Sequence, residues 1–177
     1  MGSLNGKTAI VTGASAGIGE ATARALAKSG ARVMLVARRE ERLAALAAEI
    51  GDGACFLALD LADAGAAQAL LDAATAQLGT VDILINNAGI LRTSHVDGFD
   101  LAELEPMIAI NYSAVVRTSI LFARHMKANG SGQIINLSSI GASLTAAGAG
   151  VFCGVMGGPR RPPRVLWGES ARRAGRR

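Results

Sequence analysis

The reading turns on one stretch, Thr8-Ala9-Ile10-Val11-Thr12-Gly13-Ala14-Ser15-Ala16-Gly17-Ile18-Gly19. Thr8 to Val11 is a short apolar run that stops at Thr12-Gly13, the pattern of a buried strand closing in a tight turn. From Ile18 to Ser29 the chain is Ala-rich, with Ile18, Ala21, Ala25, Leu26 and Ser29 near helical spacing, and Gly30 supplies the stop. A strand, a glycine-rich turn and a helix in this order make a phosphate loop. Gly13 permits the sharp turn, Gly17 lets the backbone approach a pyrophosphate, and Gly19 allows close helix–strand packing. The N–H groups at the helix start, around Ile18, then present a positive dipole end to the phosphates. The other reading is a glycine-rich turn that holds no ligand, and the strand–turn–helix setting weighs against it.

Outward from this stretch, strands and helices keep alternating. Arg32 to Ala37 is a second apolar strand. Glu40 to Ile50 is a helix with Leu43, Leu46, Ala47 and Ile50 on one face, ended by Gly51 and Gly53. Ala54 to Leu59 is a third strand, closed by Asp60, and Asp63 to Leu78 is a helix with Gly79 just past its end. Val81 to Ile85 is a fourth strand, ending at Asn86-Asn87-Ala88-Gly89. Helical patterns cover Leu101 to Ile110 and Ser113 to Ala128, and Gly132 to Leu137 is a fifth strand ending at Ser138-Ser139. Strands that are apolar throughout belong to a parallel sheet covered on both faces, built from right-handed βαβ units. The expected fold is α/β, a three-layer doubly wound parallel sheet of about five strands.

The end of the second strand bears on which nucleotide would bind. An acid there would accept hydrogen bonds from a ribose 2′-OH, but the residue is Ala37, followed by Arg38 and Arg39. A guanidinium pairs with a 2′-phosphate that an acid would repel. NADP(H) is therefore expected over NAD(H), with Arg38 as the main contact and Ser15 nearby. Alternatively, both arginines start an exposed helix as solvated charges.

The G-x-x-x-G-x-G spacing of Gly13, Gly17 and Gly19, with Asn86-Asn87-Ala88-Gly89 after the fourth strand, resembles the short-chain dehydrogenase/reductase family over about residues 5–150. The resemblance implies a Rossmann-type domain that binds a nicotinamide cofactor and moves hydride to or from a small-molecule carbonyl or alcohol, with no metal. It implies cofactor contacts by the glycine loop, by Asn87, Ala88 and Gly89, and by Asp60-Leu61, the family position that hydrogen-bonds the adenine edge. On its own, Asp60 reads as a helix cap.

The family's chemistry needs four groups: a Tyr acid/base, a Lys four residues later that lowers the Tyr pKa, a Ser that orients the substrate oxygen, and an Asn that holds a relay water. Free Tyr titrates near ~10, so a nearby cation must bring it toward neutrality. The resemblance assigns the Asn to Asn111, which also reads as the N-cap of the helix it opens. It assigns the Ser to Ser139, the second of the Ser138-Ser139 pair, which also reads as a strand-end turn. Thirteen residues beyond Ser139 stands Phe152, and four further on stands Met156, so neither the proton donor nor the cation is present. Tyr112 is the only tyrosine and has Val116 four residues on.

Half of the 177 residues are hydrophobic and 18% are charged, which excludes a disordered chain. Two cysteines cannot make a disulfide framework, so a reducing, cytoplasmic setting is expected. No run of eighteen uncharged apolar residues occurs, and Met1 to Lys7 is polar, so neither a membrane span nor a signal peptide is expected. The formal net charge of +4 is unevenly placed. Residues 159–177 hold seven arginines against Glu169 alone, and residues 1–158 hold eleven Lys/Arg against thirteen Asp/Glu. The basic balance thus belongs to the end of the chain and does not mark a nucleic-acid-binding domain.

Residues 1–150 are expected to form the NAD(P)-binding domain, and residues 151–177 a divergent, disordered Gly/Pro/Arg-rich tail. Pro159-Arg-Arg-Pro-Pro-Arg164 can be neither helix nor inner strand. The chain leaves the family's pattern between Ala149 and Met156, which reads as a C-terminal truncation or a shifted reading frame. Three functions follow: an NADP(H)-linked oxidoreductase impaired by the loss of Tyr and Lys, a nucleotide-binding pseudoenzyme or non-functional fragment, or an interaction protein using its arginines. With Trp167 as the only aromatic of residues 159–177 and no motif, the tail favours the plain disordered reading over nucleic-acid contact. The resemblance implies a homo-oligomer, and the missing catalytic helix argues against one here.

Overall fold

The computed structural model describes residues 4–143 and 148–157. Five strands form one parallel sheet in the order β3-β2-β1-β4-β5. They are β1 (Thr8–Thr12), β2 (Arg32–Ala37), β3 (Ala54–Ala58), β4 (Ile83–Asn86) and β5 (Gln133–Asn136). The central strand β1 is buried at every residue, as a continuous apolar run requires. Helices α1 (Gly17–Lys28) and α2 (Glu40–Ile50) cover one face, over Ala9, Val11, Val33 and Leu35. Helices α3 (Ala66–Leu78) and α5 (Val115–Ala128) cover the other, over Ile10, Met34, Val36 and Leu84. The sheet is the three-layer, doubly wound, five-strand architecture expected from the sequence.

The strand order positions the site. The chain builds outward from β1 to β2 to β3, then returns to place β4 on the other side of β1. At that reversal the turns leaving β1 and β4 diverge, and a crevice opens beyond the carboxyl ends of the strands. The opposite ends of β1 and β4 are tied together. Asp82 accepts hydrogen bonds from the Thr8 backbone N–H at 2.9 Å and from Lys7 Nζ at 2.8 Å, and Thr8 Oγ1 donates to the Thr80 carbonyl at 2.6 Å. His125 Nε2 accepts the Val81 N–H at 3.1 Å.

Three expectations are corrected. The third helix begins at Ala66 and not Asp63, because Asp60 Oδ1 caps a turn at Ala62 N and Asp63 N bonds Asp60 O instead. The two helices expected to break near Asn111 are one helical run, in which α4 (Leu104–Ile108) passes through a π-helical turn (Ala109–Ala114) into α5. Asn111 is therefore inside the run and caps no helix. The run Leu101–Ala128 is long and apolar enough to cross a bilayer by length and composition, but Met107, Val115, Phe122 and Met126 on it are buried in the protein. Finally, the expected tail is helical at its start: α6 (Gly150–Gly157) buries Cys153 and Met156. The remainder of that tail, 158–177, lies outside the described residues.

Candidate functional site

A cleft of about 500 Å³ occupies the crevice. Its floor is the turn between β1 and α1. Gly13 holds φ +68°, and a Cβ there would lie 2.9 Å from the Ala88 Cα, so the position takes only glycine. Gly19 is enforced by proximity, since a Cβ would sit 2.8 Å from the Gly13 carbonyl carbon. Its close neighbours are thus the loop itself and the Asn87 amide. Gly17, expected to face the ligand, does not line the cleft and is exposed at the opening of α1. Ser15, Ala16 and Ile18 do line it. The N-cap of α1 is Ala16, which supplies no side-chain hydrogen bond. The first N–H groups of α1 therefore reach the cleft without a side-chain cap, where a phosphate would satisfy them.

The second wall comes from the ends of β2 and β3. Ala37, Arg38, Arg39, Leu59, Asp60 and Leu61 all face the cleft. The arginines divide their partners. Arg39 Nη2 and Nε donate to the buried Ser15 Oγ at 2.8 and 3.2 Å, while Arg38 Nη1 stands 3.6 Å from Asp60 Oδ2. The guanidinium beside Ser15 is thus that of Arg39, and Arg38 faces the Asp60 carboxylate.

The third wall is Asn87, Ala88 and Gly89, continued by Ile90 and Ile110. Thr12 Oγ1 accepts the N–H groups of Asn87 and Ala88, both at 3.0 Å, and Asn87 Nδ2 donates to the Thr12 carbonyl at 2.8 Å. These bonds lock the β4 turn to the end of β1. Asn111, buried in the π-helical turn, grips the next residue from both sides: its Oδ1 accepts the Ile90 N–H at 2.9 Å and its Nδ2 donates to the Ile90 carbonyl at 2.8 Å. π-Turns recur at functional sites because the wider turn redirects one side chain. Here the redirected chain is Asn111.

Asn111 and Ser139 do not line the cleft. Ser139 lies beyond β5, half-buried, and its Oγ accepts the Gly141 N–H at 3.1 Å. Above Gly141 lies Phe152 of α6, whose Cε1 would be 3.0 Å from a Cβ on that glycine. So Phe152 and the turn after Ser139 are neighbours. Met156, one helical turn on, is buried and uncharged. Among the described residues no cluster of His, Cys, Asp or Glu could hold a metal. Ala16, Leu59, Ile90 and Ile110 line the cleft without being expected there, and Arg39 stands beside Ser15 where Arg38 is expected. A lining residue with no reactive group leaves no compositional signal, and two adjacent arginines are alike until the helix start sends them apart.

The short chain dehydrogenase family profile matches residues 7–154. The chain is 37% identical over 169 residues to D-threitol dehydrogenase of Mycolicibacterium smegmatis, covering 94% of this chain and 65% of that protein. Its fold superposes with a TM-score of 0.89 on a gluconate 5-dehydrogenase from Burkholderia cenocepacia in complex with NADP and tartrate, at 33% identity, covering 96% of this chain and 68% of that one. A 3-ketoacyl-(acyl-carrier-protein) reductase from Brucella melitensis complexed with NADH gives a TM-score of 0.83 at 33% identity, covering 88% and 66%. The chain spans 59% to 65% of the length of the first curated relatives it matches.

Proposed function

This chain belongs to the short-chain dehydrogenase family, and from that premise we propose that it is the nucleotide-binding portion of an NADP(H)-dependent oxidoreductase acting on a small-molecule carbonyl or alcohol. The observation that carries this reading is the cleft at the strand reversal, where a helix start without a side-chain cap, a glycine turn that admits no added atom and two arginines converge. When bound, the cofactor supplies or accepts a hydride. The residues of this chain bind and orient it. The α1 N–H groups take the pyrophosphate, and Asp60 with Leu61 takes the adenine edge. Arg39 and Ser15 take the 2′-phosphate with Arg38 alongside, Asn87 to Gly89 back the nicotinamide end, and Ser139 orients the substrate oxygen. The setting is reducing and cytoplasmic, in keeping with free Cys55 and Cys153.

A second reading, a protein that binds the nucleotide with little or no turnover, is favoured by Phe152 and Met156 on α6. Phe152 has a ring but no proton to give, and Met156 brings no cation to tune one. Fluorescence titration with NADPH and NADH tests both readings. The expected result is saturable NADPH binding, tighter than NADH binding, with no carbonyl-dependent oxidation of NADPH. Absence of binding to either nucleotide would overturn the proposal, and steady turnover would overturn the second reading.

A further inference from the structure

A buried polar network joins the ends of β4 and β5 to α5, outside the cleft. Asn86 Nδ2 donates to Asn136 Oδ1 at 2.8 Å and to Ser119 Oγ at 3.3 Å, and Asn86 Oδ1 accepts from Thr118 Oγ1 at 3.0 Å. Asn86, Thr118 and Ser119 are each no more than 3% exposed. The one Thr118 hydroxyl proton is shared between Asn86 Oδ1 and the backbone carbonyls of Ala114, at 2.8 Å, and Val115, at 3.2 Å, where the π-helical turn hands over to α5. The β4 turn is thus held by α5 at Asn86, through Thr118, and by the π-turn at Ile90, through Asn111. Between those anchors lie only Asn87, Ala88 and Gly89, the third wall of the cleft. On the other side, the Asn86–Asn136 bond and the Leu137 N–H to the Asn86 carbonyl, at 2.9 Å, fix where β5 delivers Ser138 and Ser139.

The geometry points to Thr118, acting through Asn86, as a positioning residue for nicotinamide-cofactor binding. Alongside the Thr12 bonds that tie Asn87 and Ala88 to β1, it helps set the height of the Asn87–Gly89 wall relative to the glycine turn. A polar network is costly to bury unless it is satisfied, and no buried side-chain polar atom among the described residues lacks a partner. An apolar core would hold two strand ends together equally well. It would not fix their rotation, because apolar contacts have no direction, whereas hydrogen bonds do. This inference rests on the nucleotide-binding reading above.

The test compares NADPH affinity, by fluorescence titration, with thermal stability. Thr118→Val keeps the shape and removes the hydroxyl. It is expected to weaken NADPH binding by about fivefold to tenfold, the loss of one buried hydrogen bond's worth of alignment. Thr118→Ser is expected to recover affinity to within about twofold of the native chain. Leu78→Ala, in the same core at the far end of β4, is expected to lower the melting temperature while leaving NADPH affinity unchanged. If Thr118→Val fails to fold, Asn136→Ala removes another arm of the network at a half-buried position, with the same expected loss. Unchanged affinity in the folded network variants, no rescue by serine, or an equal loss of affinity in Leu78→Ala would overturn the inference while leaving the binding proposal intact. If the native chain binds neither NADPH nor NADH, the proposal itself fails and the inference falls with it.

Discussion

The β1–β2 half of the molecule and the β5–α6 half are built to different standards. In the first half β1 is wholly buried, β2 is buried from Val33 to Val36, and the turn between β1 and α1 admits no added atom at Gly13 or Gly19. In the second half β5 alternates between exposed and half-buried residues, with Ile135 38% exposed, and α6 lasts eight residues. The nucleotide cleft is made almost wholly by the first half together with the β4 turn. Ser139, Phe152 and Met156 belong to the second. On the proposed function, binding and chemistry are separable: the cleft is enforced by backbone and packing in the first half, while the Ser139 turn, Phe152 and Met156 lie in the second.

That separation is broken most severely at Gly19. Gly19→Val would push two methyl groups into the Gly13 carbonyl and the Asn87 amide, closing the floor of the cleft. NADPH affinity is expected to fall by about a hundredfold or more, with a stability loss of roughly 1–3 kcal/mol from overpacking. Titration and thermal melting read the two effects. Native-like affinity in Gly19→Val would show that the cleft is not the binding site.

The next largest effect lies on the other side of the comparison. Introducing both groups, Phe152→Tyr with Met156→Lys, is expected to bring carbonyl-dependent NADPH oxidation to a measurable rate where the native chain shows none. NADPH affinity should change little. Each single change should do less, because Tyr without a cation holds its proton too tightly and Lys without Tyr has none to tune. A doubly substituted chain that folds, binds NADPH and stays at the native rate would mean that the second half lacks more than these two side chains.

Within the binding half, the comparison sharpens to two neighbouring arginines. Arg39→Ala removes the fork beside Ser15 and is expected to weaken NADPH binding about tenfold while leaving NADH nearly unchanged. Arg38→Ala should cost less, because Asp60 already takes part of its charge. Equal losses for NADPH and NADH would reassign Arg39 to general charge attraction.

What the sequence made legible follows the same division. The strands and the phosphate loop were readable because burial on both faces writes a continuous apolar run, and a close backbone approach writes glycine. Asn111 was misplaced because asparagine is a poor helix former, so local propensity breaks the helix at Ile110-Asn111-Tyr112. The tertiary grip of Asn111 on Ile90 carries the helix through as a π-turn. Helix α6 was hidden because Gly150, Gly154 and Gly157 argue against a helix. Contacts around Gly141, Phe152 and Cys153 hold it, and those depend on residues a dozen positions apart. The pairing of Arg39 with Ser15 spans 24 positions and leaves no local trace.

The smallest expected effect concerns the floor opposite the cleft, where β1 and β4 are tied by Asp82. Burial pushes this carboxyl up, but hydrogen bonds from Lys7 and from the Thr8 backbone and hydroxyl more than offset it and leave it below the ordinary aspartate range. A carboxylate whose folded pKa is depressed stabilises the fold above its unfolded pKa, near ~3.9, and that contribution is lost as pH falls through the folded value. The melting temperature should therefore decline in acid by a few degrees more in the native chain than in Asp82→Asn, and the two should differ most near neutrality. The tie lies across the sheet from the nucleotide, so NADPH affinity at neutral pH should be unaffected by Asp82→Asn. An affinity loss there would mean that the spacing of β1 and β4 is transmitted along the strands to the cleft, and the two halves would then be less separable than their packing implies.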